Sequence, residues 1–208
     1  MKIVIADDHS IVRRGLQQII ALRPAWTVVA EVSTADDVLP ALRRQPADVL
    51  VLDVSLGGRS GIDLLAEIHA ELPSLPVLML SMHDEELYAI RCLRAGASGY
   101  IEKGSSPDEL IRAVERVAKG HTYVSEGVAE QLADELVRGR SGLPHERLTP
   151  REFEVFRLMA AGETPTAIAG MLHLSVKTVS TYRSRILEKT GFRTTAEMVA
   201  YAIRSGLV

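Results

Sequence analysis

The chain has 208 residues, 47% of them hydrophobic and 25% charged, with one cysteine, Cys92. This length suits two domains, the composition is that of a globular protein with a packed core, and a single cysteine excludes an internal disulfide and a cysteine-based zinc site. Residues 1–148 carry 22 acidic and 16 basic side chains, whereas residues 149–208 carry 5 and 8, so we expect an acidic module and a basic, nucleic-acid-binding candidate.

The sequence contains no apolar run that approaches the roughly 20 residues needed for a membrane span. Two carboxylates, Asp7 and Asp8, follow the first apolar run at a point where a signal peptide would still be apolar. We therefore expect a cytoplasmic protein that makes no membrane contact.

Five near-continuous apolar runs alternate with helical patterns in the first 120 residues. Such runs are typical of strands that are buried on both faces of a parallel sheet. The runs lie at 2–6, 27–32, 47–52, 76–80 and 98–101, and the helical patterns at 10–22, 35–44, 60–71, 85–95 and 106–119. Residues 1–120 are therefore predicted to form an α/β domain with a doubly wound parallel five-stranded sheet, whose functional residues gather at the carboxyl ends of the strands.

The pattern changes after Gly120. Residues 125–137 are predicted to form one amphipathic helix and residues 138–144 a polar linker, so 121–147 is assigned as a linker helix and flexible linker. Residues 148–208 predict a second, smaller all-α domain. Its helices are expected at 150–161, 165–172, 176–190 and 195–205. Capping-box patterns begin at Ser106, Thr149 and Thr194.

Charged and hydroxyl side chains stand at the predicted strand ends. Asp7 and Asp8 end the first strand, Asp53 the third and Ser81 the fourth, and Lys103 follows the fifth. Three carboxylates in one crevice repel each other, and a hard divalent ion such as Mg²⁺ compensates for this repulsion. Lys103 and Ser81 suit a transferred phosphoryl group, because phosphoryl transfer depends on positioning and charge neutralisation. Asp53 is then the predicted nucleophile, forming an aspartyl phosphate.

Each of these residues also has an ordinary structural interpretation. An aspartate at a strand end is commonly a helix cap or a turn former, and it is the set of five that favours a phosphoacceptor site. His9 has two interpretations, a catalytic base or metal ligand and the first residue of a helix, and we favour the second. Cys92 is expected to be a packing residue.

The helices predicted at 165–172 and 176–190 indicate a helix-turn-helix, with Ser175 as the N-cap of the second helix. One face of the second helix carries side chains that can touch base edges in a major groove, namely Lys177, Ser180, Thr181, Ser184 and Glu188. The opposite face, expected to point to the core, carries Val176, Val179, Ile186 and Leu187. Arg185 and Lys189 lie on the flank and suit phosphate contacts.

These residues occur in segments that closely resemble a known family. Four of the segments are similar to the receiver domain of bacterial two-component response regulators, which has a flavodoxin-like fold: Ile5-Ala6-Asp7-Asp8-His9, Val51-Leu52-Asp53, Leu80-Ser81-Met82-His83 and Gly99-Tyr100-Ile101-Glu102-Lys103. The segment 162–179 resembles the LuxR-type helix-turn-helix. Over nearly its whole length the chain is similar to the NarL/FixJ family of transcription regulators.

The resemblance implies a ligand set for Mg²⁺. Asp8 and Asp53 bind the ion together with the backbone carbonyl of Ser55, while Asp7 acts mainly through water. The loop after the phosphoacceptor usually carries Met-Pro-Gly in this family, whereas here it is Leu56-Gly57-Gly58. The loss of proline and the added glycine predict a looser loop before phosphorylation.

The resemblance also implies a phosphorylation switch. A sensor histidine kinase donates the phosphoryl group to Asp53, Lys103 pairs with it, and Ser81 hydrogen-bonds it. Tyr100 resembles the aromatic switch of the family, which turns inward as Ser81 moves toward the phosphate. A receiver catalyses only its own phosphorylation and dephosphorylation, so we do not expect an enzyme that acts on other substrates.

For the second module, the resemblance favours Lys177, Ser180 and Thr181 as base or phosphate contacts and a homodimer on two-fold promoter DNA. The last helix is expected to carry Met198, Val199 and Ala202 on one exposed face. We expect these residues to be partly core rather than wholly interface, although relatives dimerise through this helix. Phosphorylation either releases the DNA-binding helix from the receiver or drives dimerisation, and the sequence leaves both routes open.

Three other interpretations compete with this one. Haloacid-dehalogenase-type phosphatases need a second aspartate two residues after the nucleophile, where this chain has Ser55. A dinucleotide-binding fold needs a glycine-rich loop after the first strand, and Asp7-Asp8-His9-Ser10 supplies none. The remaining alternative is a DNA-binding regulator that acts independently of phosphorylation.

Overall fold

A computed structural model describes residues 1–57, 59–82, 85–138 and 143–208. The chain forms two compact units, Met1–Asp134 and Glu135–Val208. Among the sequence features singled out above, Gly58, His83 and the central part of the polar linker, 139–142, lie outside the described residues. Within the described ranges, no helix is long and apolar enough to cross a membrane.

The first unit is built on a parallel sheet that confirms the predicted flavodoxin-like α/β class. Its strands, in the spatial order β2-β1-β3-β4-β5, are β1 (Lys2–Ala6), β2 (Thr27–Val32), β3 (Val49–Asp53), β4 (Val77–Ser81) and β5 (Gly99–Glu102). Ile3 and Ile5 of β1 join a buried cluster on one face of the sheet, while Val4 between them is also fully buried. Burial on both faces explains why these strands are continuous apolar runs.

Five helices connect and cover the strands. They are α1 (Ser10–Ala21), α2 (Ala35–Arg44), α3 (Gly61–Glu71), α4 (Glu85–Arg94) and α5 (Pro107–Ala118). Helix α1 contacts α5, and α2 contacts α3. The predicted bounds of these helices and of the five strands agree with the structure to within two residues.

Two backbone pairings of the first unit were not predicted. Ser55–Leu56 and Arg59–Ser60 form a two-stranded antiparallel ribbon between β3 and α3. After α5 the chain returns to the sheet, where Tyr123 forms a parallel bridge with Gly99 at the edge of β5. Both pairings join main-chain groups over segments too short to show an apolar period.

Helix α6 (Glu126–Arg138) confirms the helix predicted at 125–137, and the second unit begins within it at Glu135. A short 3-10 helix, Pro144–Arg147, was not predicted. Four helices follow it as expected: α7 (Pro150–Ala160), α8 (Pro165–Met171), α9 (Val176–Thr190) and α10 (Thr195–Arg204). Helix α9 contacts α7 and α8, and α10 contacts α7.

The core of the second unit corrects two expectations. Met198 and Ala202 of α10 are fully buried, so the expected exposure of this face is wrong and its assignment to the core is confirmed for these two residues. Val176 is 45% exposed, although it was predicted to point to the core. It is the first residue of α9, and burial on that face begins one turn later at Val179.

Only part of the predicted capping pattern is present. Thr149 closes a complete capping box with Glu152. Ser106 and Thr194 accept the expected backbone N–H three residues on, but the glutamates at those positions turn elsewhere. Glu109 accepts from the Tyr123 hydroxyl, and Glu197 accepts from the backbone N–H of the residue before Thr194. The prediction that Glu109 and Glu197 bond back to the N-cap backbone is therefore wrong.

Candidate functional site

The predicted pocket residues meet at the carboxyl edge of the sheet. In the register of the strands, Ser81 lies opposite Glu102, and Asp53 ends the neighbouring strand β3. Lys103 follows at the same edge, where its Nζ lies 2.7 Å from Asp53 Oδ2 and 2.8 Å from Asp7 Oδ2. One ammonium group therefore bridges two carboxylates that come from different strands.

This bridge is buried. Asp7, Asp53 and Ser81 are buried, and only 4% of the Lys103 side chain is exposed. Burial raises the pKa of Asp53 to about 6, while Lys103 opposes this rise and Asp7 adds to it. Burial also lowers the pKa of Lys103, but the hydrogen bonds and charges of Asp53 and Asp7 outweigh it and leave that pKa above its ordinary value. The pocket thus holds more negative charge than one lysine neutralises.

The acidic groups are placed to hold a cation. Asp7, Asp8, His9 and Asp53 each offer one ligand atom, and these atoms lie within 4.8 Å of one another. Asp7 Oδ2 is buried, and its contact among the described residues is the 2.8 Å ion pair with the Lys103 ammonium. Carboxylate oxygens with an unused lone pair and excess negative charge fit the preferences of Mg²⁺.

His9 stands at the N-cap position of α1, so its predicted place at the helix start is confirmed, while its ring is also one of the groups that could hold a cation. Its side chain does not cap the helix. Instead, Nδ1 lies 2.7 Å from Asp8 Oδ1, and the backbone N–H donates to Asp7 Oδ1. Arg13, one turn into α1, donates to the carbonyl of Asp7. The start of this helix therefore orients both carboxylates of the first strand end.

The backbone of the β3–α3 loop binds two of the carboxylates. Ser55 N–H donates to Asp53 Oδ1 over 3.1 Å, and Gly57 N–H donates to Asp8 Oδ2 over 3.2 Å. Gly57 has a φ of +57°, a conformation that glycine adopts without strain. A proline at this position would have no N–H to donate. The glycine that replaces the usual proline thus adds a hydrogen bond to the acidic site.

Both short strands of this loop are held by contacts of their side chains. Leu56 is fully buried, and Arg59 pairs with Asp36 of α2 and Glu67 of α3. The sequence predicted a loose loop here. At its described residues the structure instead shows a hydrogen-bonded two-stranded ribbon. Its stiffness before phosphorylation stays a prediction.

Gly61 is a site residue that the sequence reasoning missed. A Cβ at Gly61 would lie 2.0 Å from the carbonyl oxygen of Asp53, far inside any real contact. The Gly61 N–H donates to the carbonyl of Val54 over 2.7 Å. Glycine therefore lets α3 begin in close contact with the backbone of Asp53. The available signal was a glycine in the first turn of a predicted helix, where glycine is otherwise unfavourable.

Tyr100 lies inward in this structure. It is fully buried, as are Tyr88 and Cys92 of α4 beside it. Burial raises the pKa of the Tyr100 hydroxyl, and a hydrogen bond with Ser81 opposes this rise. The residue predicted to act as a switch thus contacts the hydroxyl predicted to move. The burial of Cys92 confirms its packing role.

The helix-turn-helix is formed by α8 and α9. His173, at φ 51°, makes the tight turn after α8, and Leu174 N–H donates to the carbonyl of Ala169. Ser175 caps α9 by accepting the N–H of Thr178, which confirms its predicted role. The two helices are joined by four residues, as expected for this motif.

The predicted DNA-facing side chains lie on the surface of α9. Lys177, Ser180, Thr181, Ser184 and Arg185 are all exposed. The hydroxyls of the two serines and the threonine each donate to the carbonyl four residues earlier. Their free lone pairs therefore face outward as hydrogen-bond acceptors.

Two basic residues of α9 have partners within the unit. Lys189 Nζ lies 2.7 Å from Glu152 Oε2, the carboxylate that also closes the capping box of α7. Arg183 Nε donates to the hydroxyl of Thr195 at the start of α10. These contacts hold α9 against α7 and α10. Lys189 therefore stabilises the packing of the unit in addition to its predicted role at the phosphates.

Two known families match the two parts of the chain. Residues 3–115 match the model of the response regulator receiver domain, and residues 146–202 match that of the bacterial regulatory proteins of the luxR family. The chain therefore belongs to the NarL/FixJ family of two-component response regulators, with a receiver and a LuxR-type DNA-binding domain.

Individual relatives match over the whole chain. The oxygen regulatory protein NreC of Staphylococcus haemolyticus is 35% identical over 215 residues, covering 100% of this chain and 99% of that protein. The response regulator UvrY of Escherichia coli is 30% identical over 208 residues, covering 100% and 95%. A structure of RcsB from Salmonella enterica serovar Typhimurium, bound to promoter rprA in the presence of the phosphomimetic BeF3-, has 29% identity and a TM-score of 0.65 over 97% of each chain.

Proposed function

We propose that this protein is a cytoplasmic transcription regulator that accepts a phosphoryl group on Asp53 from a sensor histidine kinase and binds promoter DNA as a phosphorylation-controlled homodimer. The observation that carries this proposal is the Asp53 carboxylate, buried at a strand end, 2.7 Å from the Lys103 ammonium and beside Asp7 and Asp8. No separate substrate is proposed, because the reaction takes place on the protein's own side chain.

The chemical step is a transfer between two side chains. A carboxylate oxygen of Asp53 attacks phosphorus, a new P–O bond forms, and the P–N bond to the kinase histidine breaks. The leaving imidazole keeps the electron pair of that bond and takes up a proton. Lys103 Nζ lies 2.7 Å from Asp53 Oδ2 and so can neutralise charge on a phosphoryl group bound there, and Ser81 offers a hydroxyl at the same edge. Phosphoryl transfer needs mainly this kind of positioning and neutralisation.

The residues that would hold Mg²⁺ are Asp8, Asp53 and the backbone carbonyl of Ser55, with Asp7 acting through water. When bound, the ion neutralises charge on the phosphoryl oxygens. The Gly57 N–H already fixes one oxygen of Asp8, which orders this carboxylate before binding. Lys103 holds the opposite side of the pocket through Asp7 and Asp53.

The output step is proposed to be DNA binding through α9. Lys177, Ser180, Thr181 and Ser184 form the exposed face that enters the major groove, and Arg185 and Lys189 lie beside it at the phosphates. A dimer matches a two-fold operator and gives more affinity than one small module has at physiological salt. The RcsB complex with promoter rprA supports this role by similarity.

The phosphoacceptor can be tested with a small phosphodonor. The full-length protein is incubated with phosphoramidate and Mg²⁺, and its intact mass is measured. We expect one phosphoryl group on the native protein and on Asp108→Asn, which changes an exposed aspartate of α5, and none on Asp53→Asn. Modification of Asp53→Asn at the native rate would show that another residue is the acceptor.

The DNA-facing helix can be tested on a duplex selected from a random pool by the phosphorylated native protein. Changing Lys177, Ser180 and Thr181 together to alanine is expected to abolish specific binding, while Arg204→Ala, at an exposed end of α10, retains it. Thermal unfolding checks that both variants are folded. Retained specific binding by the triple variant refutes the assignment of α9 as the DNA-reading helix.

A further inference from the structure

We infer that Tyr123 is a positioning residue through which Tyr100 sets the start of helix α6, and so couples the phosphoacceptor site to the segment that leads to the DNA-binding unit. This inference rests on the proposed function. It concerns the route by which a change at Asp53 leaves the receiver domain, and it is carried by the backbone bridge between Tyr123 and β5.

The bridge uses the free edge of the sheet. Strand β5 pairs with β4 on one side, and on its other side Tyr123 N–H donates to the carbonyl of Ser98 over 3.1 Å. In return, the Tyr123 carbonyl accepts from the N–H of Tyr100 over 3.0 Å. The chain after α5 thus adds one strand-like step to the edge, which otherwise has no partner among the described residues.

Several contacts bring the chain back to this edge. Gly120 ends α5 with a φ of +80°, which turns the backbone at no cost for glycine. Arg116 Nε then donates to the carbonyl of Thr122 over 2.9 Å, and the Tyr123 hydroxyl donates to Glu109 Oε1. The bridge is therefore held from α5 as well as from β5.

Close approach at Gly99 makes the bridge specific. A Cβ on Gly99 would lie 2.8 Å from the carbonyl oxygen of Tyr123 and 3.1 Å from its Cβ. The absence of a side chain at Gly99 is what lets the returning segment reach hydrogen-bonding distance of β5. Any other residue there displaces Tyr123 or forces β5 to shift.

The bridge is directly followed by α6. Ser125 Oγ accepts from the N–H of Val128, and α6 begins at Glu126. Val128 is fully buried in the described structure. Because only two residues separate Tyr123 from α6, a displacement of Tyr123 also displaces the first turn of this helix.

Tyr100 joins the two ends of this route. Its hydroxyl contacts Ser81 in the interior, and its backbone N–H holds Tyr123 at the edge. A movement of Ser81 toward a phosphoryl group changes the hydrogen bond between its hydroxyl and that of Tyr100. The ring then adjusts its packing against α4, and the accompanying adjustment of β5 reaches Tyr123 through the two backbone hydrogen bonds of the bridge.

Two variants release the bridge without touching the acidic pocket. Gly99→Ala places a methyl group against the Tyr123 carbonyl, and Tyr123→Pro removes the N–H that donates to Ser98. Gly15→Ala is the matched control, since a Cβ there meets nothing within 4 Å. Tyr123→Pro leaves the packing between β4 and β5 intact, so it tests the inference even where Gly99→Ala folds poorly.

The full-length proteins are phosphorylated with phosphoramidate and Mg²⁺, and two quantities are measured. The first is the rate of Asp53 modification, which is expected to stay within about two-fold of native in all variants. The second is the ratio of DNA affinities with and without phosphorylation. We expect this ratio to fall close to one in Gly99→Ala and Tyr123→Pro and to stay native in Gly15→Ala. Amide hydrogen exchange at 121–125 confirms that the bridge is released.

The outcomes separate this inference from the function on which it rests. A native protein whose DNA affinity does not respond to phosphorylation contradicts the proposed function. A native protein that responds, together with bridge variants that respond equally although exchange at 121–125 is faster, contradicts only the role of Tyr123. Loss of the response in the bridge variants at a native phosphorylation rate supports it.

Discussion

Lys103 places one buried ammonium group against two buried carboxylates, those of Asp7 and Asp53. Desolvation disfavours every charge there, and the one ammonium lowers the cost for Asp53 only in part, so that the pKa of Asp53 stays near 6. Each residue that contacts the carboxylates therefore has a distinct role. Lys103 offsets charge, Ser55 and Gly57 orient carboxylates, and a bound cation would supply the remaining compensation.

The first prediction concerns Asp53 in the absence of metal. Its folded pKa of about 6 lies above its ordinary value of 3.8, so its stabilising contribution is fully present below pH 3.8 and is lost as the pH rises through 6. Asp53→Asn is therefore expected to raise the free energy of unfolding at pH 7 by about 1–3 kcal/mol, and by less at pH 5. Urea unfolding in a chelator measures both values.

The exposed Asp108→Asn change serves as the control and is expected to alter the free energy of unfolding by no more than about 0.5 kcal/mol at either pH. A gain for Asp53→Asn that is as large at pH 5 as at pH 7 would show that the carboxylate is not strained by burial.

A second prediction at this scale compares two glycines. Gly61→Ala forces a Cβ against the Asp53 carbonyl and is expected to cost about 2–3 kcal/mol of stability and to slow phosphorylation. Gly15→Ala adds a methyl group in open space within α1 and is expected to stabilise by about 0.5–1 kcal/mol. Thermal and urea unfolding of the pair distinguish these effects, and equal stabilisation by both changes contradicts the close approach.

At the scale of helices and strands, α9 has to be both part of a core and a surface for DNA. Val179 and Ile186 bury one side of it, while Lys177 and Arg185 stay exposed on the other. Lys189 contributes to both sides of α9, because its side chain is 38% exposed and yet pairs with the buried carboxylate of Glu152. The two flanking cations should therefore differ in what their loss does.

The third prediction separates these cations by salt dependence. Arg185→Ala is expected to reduce the slope of log affinity against log salt by about one, because one phosphate contact is lost. Anisotropy titrations of the selected duplex at several salt concentrations measure the slope. An unchanged slope would place Arg185 away from the DNA.

The fourth prediction concerns Lys189→Met, which leaves the Glu152 carboxylate buried without its cation. Burial raises the pKa of Glu152, but Lys189 and the Thr149 groups outweigh it and hold the net pKa below its ordinary value. The stabilisation by this pair is therefore present at neutral pH and is lost as the pH falls through that lowered pKa. We expect Lys189→Met to cost about 1 kcal/mol at pH 7 and less at pH 3, since Lys189 is partly solvent-screened. If Lys189→Met lowers the free energy of unfolding by the same amount at both pH values, the ion pair between Lys189 and Glu152 does not contribute as proposed.

Element by element, the sequence predicted what side-chain periodicity determines. The buried strands are apolar runs in the sequence, and the charged residues at the ends of β1, β3 and β5 predict that Asp7, Asp53 and Lys103 share one pocket, as the structure shows. The ribbon at 55–60 and the bridge at Tyr123 escaped prediction because they depend on main-chain groups meeting across space. The complete burial of Met198, which was expected to be only partly core, was not predicted because a short helix pattern does not show which neighbour covers it.

At the scale of the whole molecule, the chain separates its two chemistries. The first unit holds the buried acidic site on a sheet covered by helices, and the second presents hydroxyl and basic side chains on one short helix. Neither surface can bind the other's partner well, because a cluster of carboxylates repels DNA phosphates and an exposed helix face cannot shelter a phosphoryl group. The proposed regulation therefore requires that phosphorylation of the first unit alters DNA binding by the second.

The central claim is that phosphorylation of Asp53 controls DNA binding, and the affinity of one sample before and after phosphorylation tests it most directly. The native protein is titrated onto the selected duplex, then modified stoichiometrically with phosphoramidate and Mg²⁺ and titrated again, with Asp53→Asn treated in parallel. We predict a gain in affinity of about ten-fold or more for the native protein, as expected when a dimer engages two half-sites, and no change for Asp53→Asn. Equal affinity before and after complete modification would contradict the claim and favour a regulator that acts independently of phosphorylation.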